Sequence, residues 1–228
     1  MGGYLKNIII IGAGGVGREA ALIVKQINEV CATWNILGFI DDDKNRWGEQ
    51  IHGFTILGDI NYLMNLTINT SVIVAVSNYK LKKNLIEALK GKFPFATLIH
   101  PRVQLHDYMT VGVGTIIYEG AILSIDIEIG NHVLISPKCG IGHNSVIKDY
   151  SSLLWNVNIS GNDILEEGSF VGSGATVVQG LSIGKGALIG AGAVVLKDVP
   201  AYATAVGVPA RIIKKEDEDE EDIVYYHR

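Results

Sequence analysis

From Ile99 to Val195 an aliphatic side chain recurs at every sixth position without a slip of register: Leu105, Val111, Ile117, Leu123, Ile129, Ile135, Ile141, Ile147, Leu153, Ile159, Leu165, Val171, Val177, Ile183 and Ile189 lie between the two. Four residues after an anchor the side chain is often small, as at Thr115, Cys139, Ser145, Ser169, Ala175 and Ala193. Several anchors are followed directly by glycine, including Gly112, Gly130, Gly142, Gly172, Gly184 and Gly190. Helical faces recur at about 3.6 residues and strand faces at 2, so a period of six fits neither alone. It predicts short strands, each with one inward anchor, joined by bends and stacked as a parallel β-helix. The glycines suit bends where φ is positive or where two backbones approach closely.

The residues before the repeat follow another rhythm. Asn7–Ile11 is a β-branched run of the kind buried in parallel sheets, and Arg18–Val30 has helical spacing at Ala20, Val24 and Ile27. Further strands are predicted at 36–40, 54–57, 72–76 and 95–99, with helices over 60–66 and 80–90. Alternation of strands and helices implies a small doubly wound sheet. Gly12-x-Gly14-x-x-Gly17 lies between the first strand and the first helix, where glycines let backbone N–H groups approach a phosphate. Asp41, which ends the second strand with Asp42 and Asp43, lies 24 residues beyond Gly17. A ligand-free tight turn and an NAD-dependent oxidoreductase are two other readings of the loop. Against the second, the domain runs straight into the repeat and leaves no second half for a nicotinamide.

Composition narrows the partners. A formal charge of −5 and pI near 5.7 give no reason to expect nucleic acid or an anionic membrane. Cys31 and Cys139 lack CxxC spacing, so neither a disulfide framework nor structural zinc is expected. Ile8–Ile11 is too short for a signal or a membrane span. A soluble cytoplasmic protein is expected. The acids 216–222 read as a solvated tail.

The order of motifs carries a resemblance. A glycine-rich half-Rossmann unit, a strand ending in acids, Ile99-His100-Pro101, hexads containing Ile141-Gly142-His143-Asn144, and Gly207-Val208-Pro209-Ala210-Arg211 resemble the hexapeptide-repeat sugar acyltransferases of the sialic acid O-acetyltransferase type. Close to these are the N-acetyltransferases of nucleotide-linked 4-amino-sugars. The resemblance implies an α/β half-Rossmann domain at residues 1–96, an all-β left-handed parallel β-helix at 97–211 with 18 residues per triangular coil, and an acidic tail at 212–228. It implies an acetyl-CoA-dependent enzyme that acetylates the amine of a nucleotide-activated sugar for surface-glycan synthesis. Gly12, Gly14, Gly15, Val16, Asp41, Asp42, Ser77 and Asn78 would line the nucleotide-sugar site. A homotrimer is implied, with CoA in the groove between subunits against Ser152, Gly161, Ser173 and Ala191; small bend residues are the alternative for Ser173 and Ala191.

Of the histidines, His143 alone falls on the family's catalytic position, at a bend where a side chain can project outward. Acetyl transfer from a thioester asks for a base that takes a proton from the attacking nitrogen and returns one to the thiolate, which imidazole can do near neutral pH. Gly161, 18 residues on, leaves room beside the ring and offers a backbone N–H for the oxyanion. Three departures from the family pattern bear on rate and acceptor. Asn144 stands where Asp or Glu is usual, Ser152 where a second histidine is common, and Trp155-Asn156 where Pro-Gly is common. Zinc is not expected, because the spacings of His106, His132 and His143 suit no three-imidazole site. The unbroken register leaves no insertion to serve as a lid. Two rival functions remain: O-acetylation of a sugar hydroxyl such as that of a sialic acid, and a non-catalytic scaffold that binds nucleotide sugar.

Overall fold

A computed structural model describes residues 5–215; the acidic run 216–222 lies outside them. Strand β1 (Lys6–Ile11) sits between β2 (Trp34–Ile40) and β5 (Ser71–Val74), parallel to both. Beyond β2 lie β4 (Phe54–Gly58) and then β3 (Gln50–Ile51), which pairs antiparallel with β4. Ile8–Ile11 are buried as an unbroken run because both faces of β1 are covered. Helix α1 (Gly15–Val30) starts three residues earlier than its apolar spacing suggests, since Gly15, Val16 and Gly17 are weak helix formers. Helices α2 (Ile60–Met64) and α3 (Tyr79–Leu89) complete the domain. The stretch 95–99 is divided: Phe95 bridges to Val72, whereas Leu98-Ile99 pairs with Ile116-Ile117 and opens the repeat.

The repeat closes into a triangular prism whose three sheets each pair residue i with i+18. The first face carries Leu98-Ile99, Ile116-Ile117, Leu134-Ile135, Ser152-Leu153, Phe170-Val171 and Leu188-Ile189. The third face carries Gly140-Ile141 and Asn158-Ile159, and the second carries Val146-Ile147 and Ile164-Leu165. Every anchor from Ile117 to Val195 is buried. Each contributes about 1.5–3 kcal/mol of gross burial, before the entropy of ordering the coil is subtracted. Leu105 departs from the sequence expectation: it is 46% exposed, and Val103 packs into the core instead. The turn that follows His100-Pro101, closed by Val103 N–H on the His100 carbonyl, brings Val103 rather than Leu105 onto the core, and the next strand forms only at Met109–Val111.

The two uses expected of glycine fall at different hexad positions. Directly after an anchor the constraint is closeness: a Cβ on Gly142 would lie 2.5 Å from the Ser160 carbonyl carbon of the next coil. Three residues after an anchor φ is positive, at Asp126, His132, Lys138, Asn144, Tyr150, Asn156 and Asn162 as well as at glycines. Arg211–Lys215 pairs antiparallel with Ala203–Val206 and covers the last coil, so residues 212–215 belong to the β-helix rather than to the tail.

The N-terminal domain docks on the first face. Outward-facing Leu98, Ile116 and Leu134 share a core with Ile8, Ile10 and the α1 residues Ala20 and Val24. Helix α3 braces the adjoining corner: Tyr79 and Lys83 both bond Glu167, and the Tyr79 ring packs on Gly168. Lys82, fully buried, donates to the carbonyls of His132 and Tyr150, both at 3.2 Å, and to Ser152 Oγ at 3.0 Å. Burial pushes its pKa down to about 7. The facing groups are His132, held down to about 4 by burial first and the Lys82 charge second, with Asp149, Tyr150, Tyr79, Lys83 and Glu167 around them.

That shift has a stability signature. Lysine in an unfolded chain titrates near about 10.4, so above pH 7 or so the unfolded state holds a proton that the folded state has released. Unfolding free energy therefore rises with pH across that window, and the gain is lost as pH falls through about 7. Against Lys82→Met, wild type should gain up to about 1 kcal/mol per pH unit between about pH 7 and 9, read from urea midpoints. A difference that does not move with pH would show that the amine is not desolvated.

Candidate active site

His143 sits on the corner between the third and second faces, with Ile125 one coil before and Gly161 one coil after. The ring is exposed, and its Nδ1 lies 2.8 Å from Asn144 Oδ1. An amide oxygen only accepts, so Nδ1 carries the proton and Nε2 presents a lone pair. That nitrogen faces Gly161: a Cβ there would lie 2.6 Å from Nε2 and 2.7 Å from Cε1. Among the described residues the Gly161 N–H has no hydrogen-bond partner. Asn144 has φ 59°, a conformation that asparagine tolerates better than most residues. It serves the bend and the orientation of the ring together.

The glycine loop divides by role. Gly12 has φ +99°, and a Cβ on Gly17 would lie 1.8 Å from the Gly12 carbonyl oxygen, so these two hold α1 against β1. A Cβ on Gly14 or Gly15 would meet nothing within 4 Å. Their small size has no cause within the chain, and they leave open space at the N-terminus of α1, where N–H groups favour an anion. Asp41 is turned onto the loop: Oδ2 accepts from Ala13 N at 2.8 Å and Oδ1 from Asp43 N at 3.1 Å. Asp42 is exposed. Gly12, Asp41 and Asp42 line a cavity of about 200 Å³ whose apolar wall includes Val76, Leu81 and Leu85. Ser77 and Asn78 follow on its edge, and Asn78 Oδ1 caps α3 through Leu81 N at 2.8 Å. Val16, at the start of α1, accepts through its carbonyl from Tyr118 Oη at 3.3 Å.

The donor-side expectations separate. Gly161 lies beside His143. Ser173 and Ala191 stack one coil apart on another corner, between the first and third faces, above Trp155. Ser152 does not line an open groove: it is 1% exposed, faces the N-terminal domain, and bonds Lys82 and Ser77. Its outward position on the docking face, where the domains exclude solvent, is the reason. Tyr118 and Lys82, which join the domains at this site, went unread in the sequence. Neither belongs to a motif, and only stacking at 18 residues brings their partners into reach.

A half-Rossmann sheet with a phosphate-ready loop, docked on a hexad prism that presents a corner imidazole, defines a hexapeptide-repeat acyltransferase. Comparison with known proteins makes this particular. Residues 7–89 match the family model described as the PglD N-terminal domain. GDP-perosamine N-acetyltransferase of Escherichia coli O157:H7 is 34% identical over 214 residues, covering 90% of this chain and 96% of that protein. The acetyltransferase domain of PglB from Neisseria gonorrhoeae FA1090 superposes with a TM-score of 0.83 at 25% identity, over 91% of this chain and 100% of that one. A histidine-to-asparagine mutant of perosamine N-acetyltransferase from Caulobacter crescentus, in complex with CoA and GDP-perosamine, gives a TM-score of 0.82 at 25% identity, over 94% and 99%. The chain belongs to the hexapeptide-repeat sugar acetyltransferase family that includes the GDP-perosamine N-acetyltransferases. No helix among the described residues is long and apolar enough to cross a membrane.

Proposed function

We propose that this protein transfers acetyl from acetyl-CoA to the amine of a nucleotide-linked amino sugar, in surface-glycan assembly, with His143 as general base. The observation that carries this is the imidazole whose Nε2 lone pair lies over Gly161. His143 Nε2 takes a proton from the attacking amine, the Gly161 N–H receives the oxyanion, and the imidazolium returns a proton to the leaving thiolate. Asn144 keeps the ring in the tautomer that leaves Nε2 unprotonated. Gly14, Gly15 and Val16 hold the diphosphate, Asp42 and the Ser77–Asn78 edge line the rest of the acceptor, and Ser173 and Ala191 line the path of CoA. No protein metal ligand has a part in this chemistry.

His143 projects from the corner opposite the face that carries its own N-terminal domain. An acceptor held by one chain therefore meets the imidazole of another, which supports the homotrimer. Exposed Ile122 and Ile125 beside the His143 corner supply apolar surface for that contact. The test is thiol release from acetyl-CoA across GDP-perosamine, UDP-linked 4-amino-sugars and free sialic acid. Release with a nucleotide-linked amino sugar is expected. Release only with sialic acid would move the reaction to a hydroxyl, and no release with nucleotide sugar still bound would leave a scaffold.

A further inference from the structure

We propose that Ser152 and Lys82 are positioning residues for the acceptor, fixing the Ser77–Asn78 edge of the nucleotide-sugar cavity to the β-helix. The proposal rests on the reading of that cavity as the acceptor site. Its physical basis is a chain of hydrogen bonds: Lys82 Nζ donates to Ser152 Oγ at 3.0 Å, and Ser152 Oγ donates to the Ser77 carbonyl at 3.2 Å. The outward residues of the first face are otherwise apolar from Leu98 through Ile116 and Leu134 to Phe170 and Leu188; Ser152 is the hydroxyl among them. A buried hydroxyl costs stability unless its bonds are made, and a larger apolar residue would serve simple docking better. Lys82 repeats the argument, since this fully buried amine directs its hydrogen bonds to the His132 and Tyr150 carbonyls and Ser152 Oγ, all on the β-helix.

What this chain holds is the edge of the cavity. Ser77 lies between Val76, which lines the cavity, and Asn78, which caps the helix carrying Leu81 and Leu85 into it. A shift of Ser77 therefore moves both walls. Tyr118 Oη, bonded to the Val16 carbonyl, ties the start of α1 to an earlier coil. The N-terminal domain is thus tied to the prism at the starts of both α1 and α3. Because the imidazole that meets this acceptor belongs to a neighbouring prism, these ties fix how the cavity is presented to that neighbour.

Ser152→Ala, nearly isosteric, tests the tie without disturbing the fold, and Lys82→Met tests its other end. In the intact protein, hydrogen exchange at amides 77–82 should quicken about tenfold in Ser152→Ala, with the prism unchanged. KM for the nucleotide-linked sugar that supports thiol release should rise about five- to tenfold, the worth of one buried hydrogen bond, while KM for acetyl-CoA stays put. Unchanged exchange at 77–82 overturns the proposal with or without a turned-over substrate. So does a rise in KM for acetyl-CoA alone, which would return Ser152 to the donor side, or quickened exchange with an unmoved acceptor KM. If wild type releases no thiol with any nucleotide-linked amino sugar, the acetyltransferase reading fails separately, and exchange still decides whether the tie exists.

Discussion

His143→Ala should lower kcat by about 10²–10⁴-fold, the usual worth of a positioned general base, with both KM values nearly unchanged. The ring is exposed and its one bond is to the neighbouring Asn144, so its removal leaves no buried group unsatisfied. Melting temperature should therefore stay at the wild-type value, and the loss can be assigned to chemistry. A KM that rises while kcat holds would instead make the imidazole a binding group. Full activity in the variant would remove the histidine from the mechanism and leave the fold without a base at this corner.

The second large effect is expected from Gly161→Ala. This glycine lies outside the left-handed region, so the backbone accepts alanine without strain. The new methyl would, however, lie 2.6 Å from His143 Nε2, and the exposed ring is free to swing away from it. Stability should be close to wild type, while kcat/KM falls about 10²-fold because base and oxyanion donor no longer share one geometry. Thiol release measured beside thermal melting checks both halves. Retained activity would mean that catalysis does not use the ring where it lies over Gly161.

The two variants draw on different kinds of information. His143 is legible as a motif residue, and its place at an outward bend follows from the hexad count. Its tautomer is not legible, because that depends on which Asn144 atom faces the ring. The division of labour among the loop glycines is hidden in the same way. Gly12-x-Gly14-x-x-Gly17 reads as one motif, yet two of its glycines answer to chain packing, while Gly14 and its neighbour Gly15 face open space. Asp41 reads as a ligand of the acceptor, and the structure spends both its carboxylate oxygens on the loop backbone. Leu105 fits the period and still falls outside the prism, because a period records the side chains and not the turn that displaces them.

By itself the sequence determined a stacked parallel β-helix of hexads and the parallel sheet before it, while the 18-residue triangular coil and the choice of His143 came with the family resemblance. The first two follow from local rules, in which a buried anchor every sixth residue and a glycine-rich strand-to-helix turn leave few alternatives. Only the tertiary structure decided how the domains meet. Lys82, Tyr118 and Ser152 lie 34 to 102 residues from one another or from their partners, and they acquire a role when the N-terminal domain and the first face are brought together. Desolvation there turns ordinary surface residue types into buried hydrogen-bonding groups, an environment that no spacing in the chain encodes.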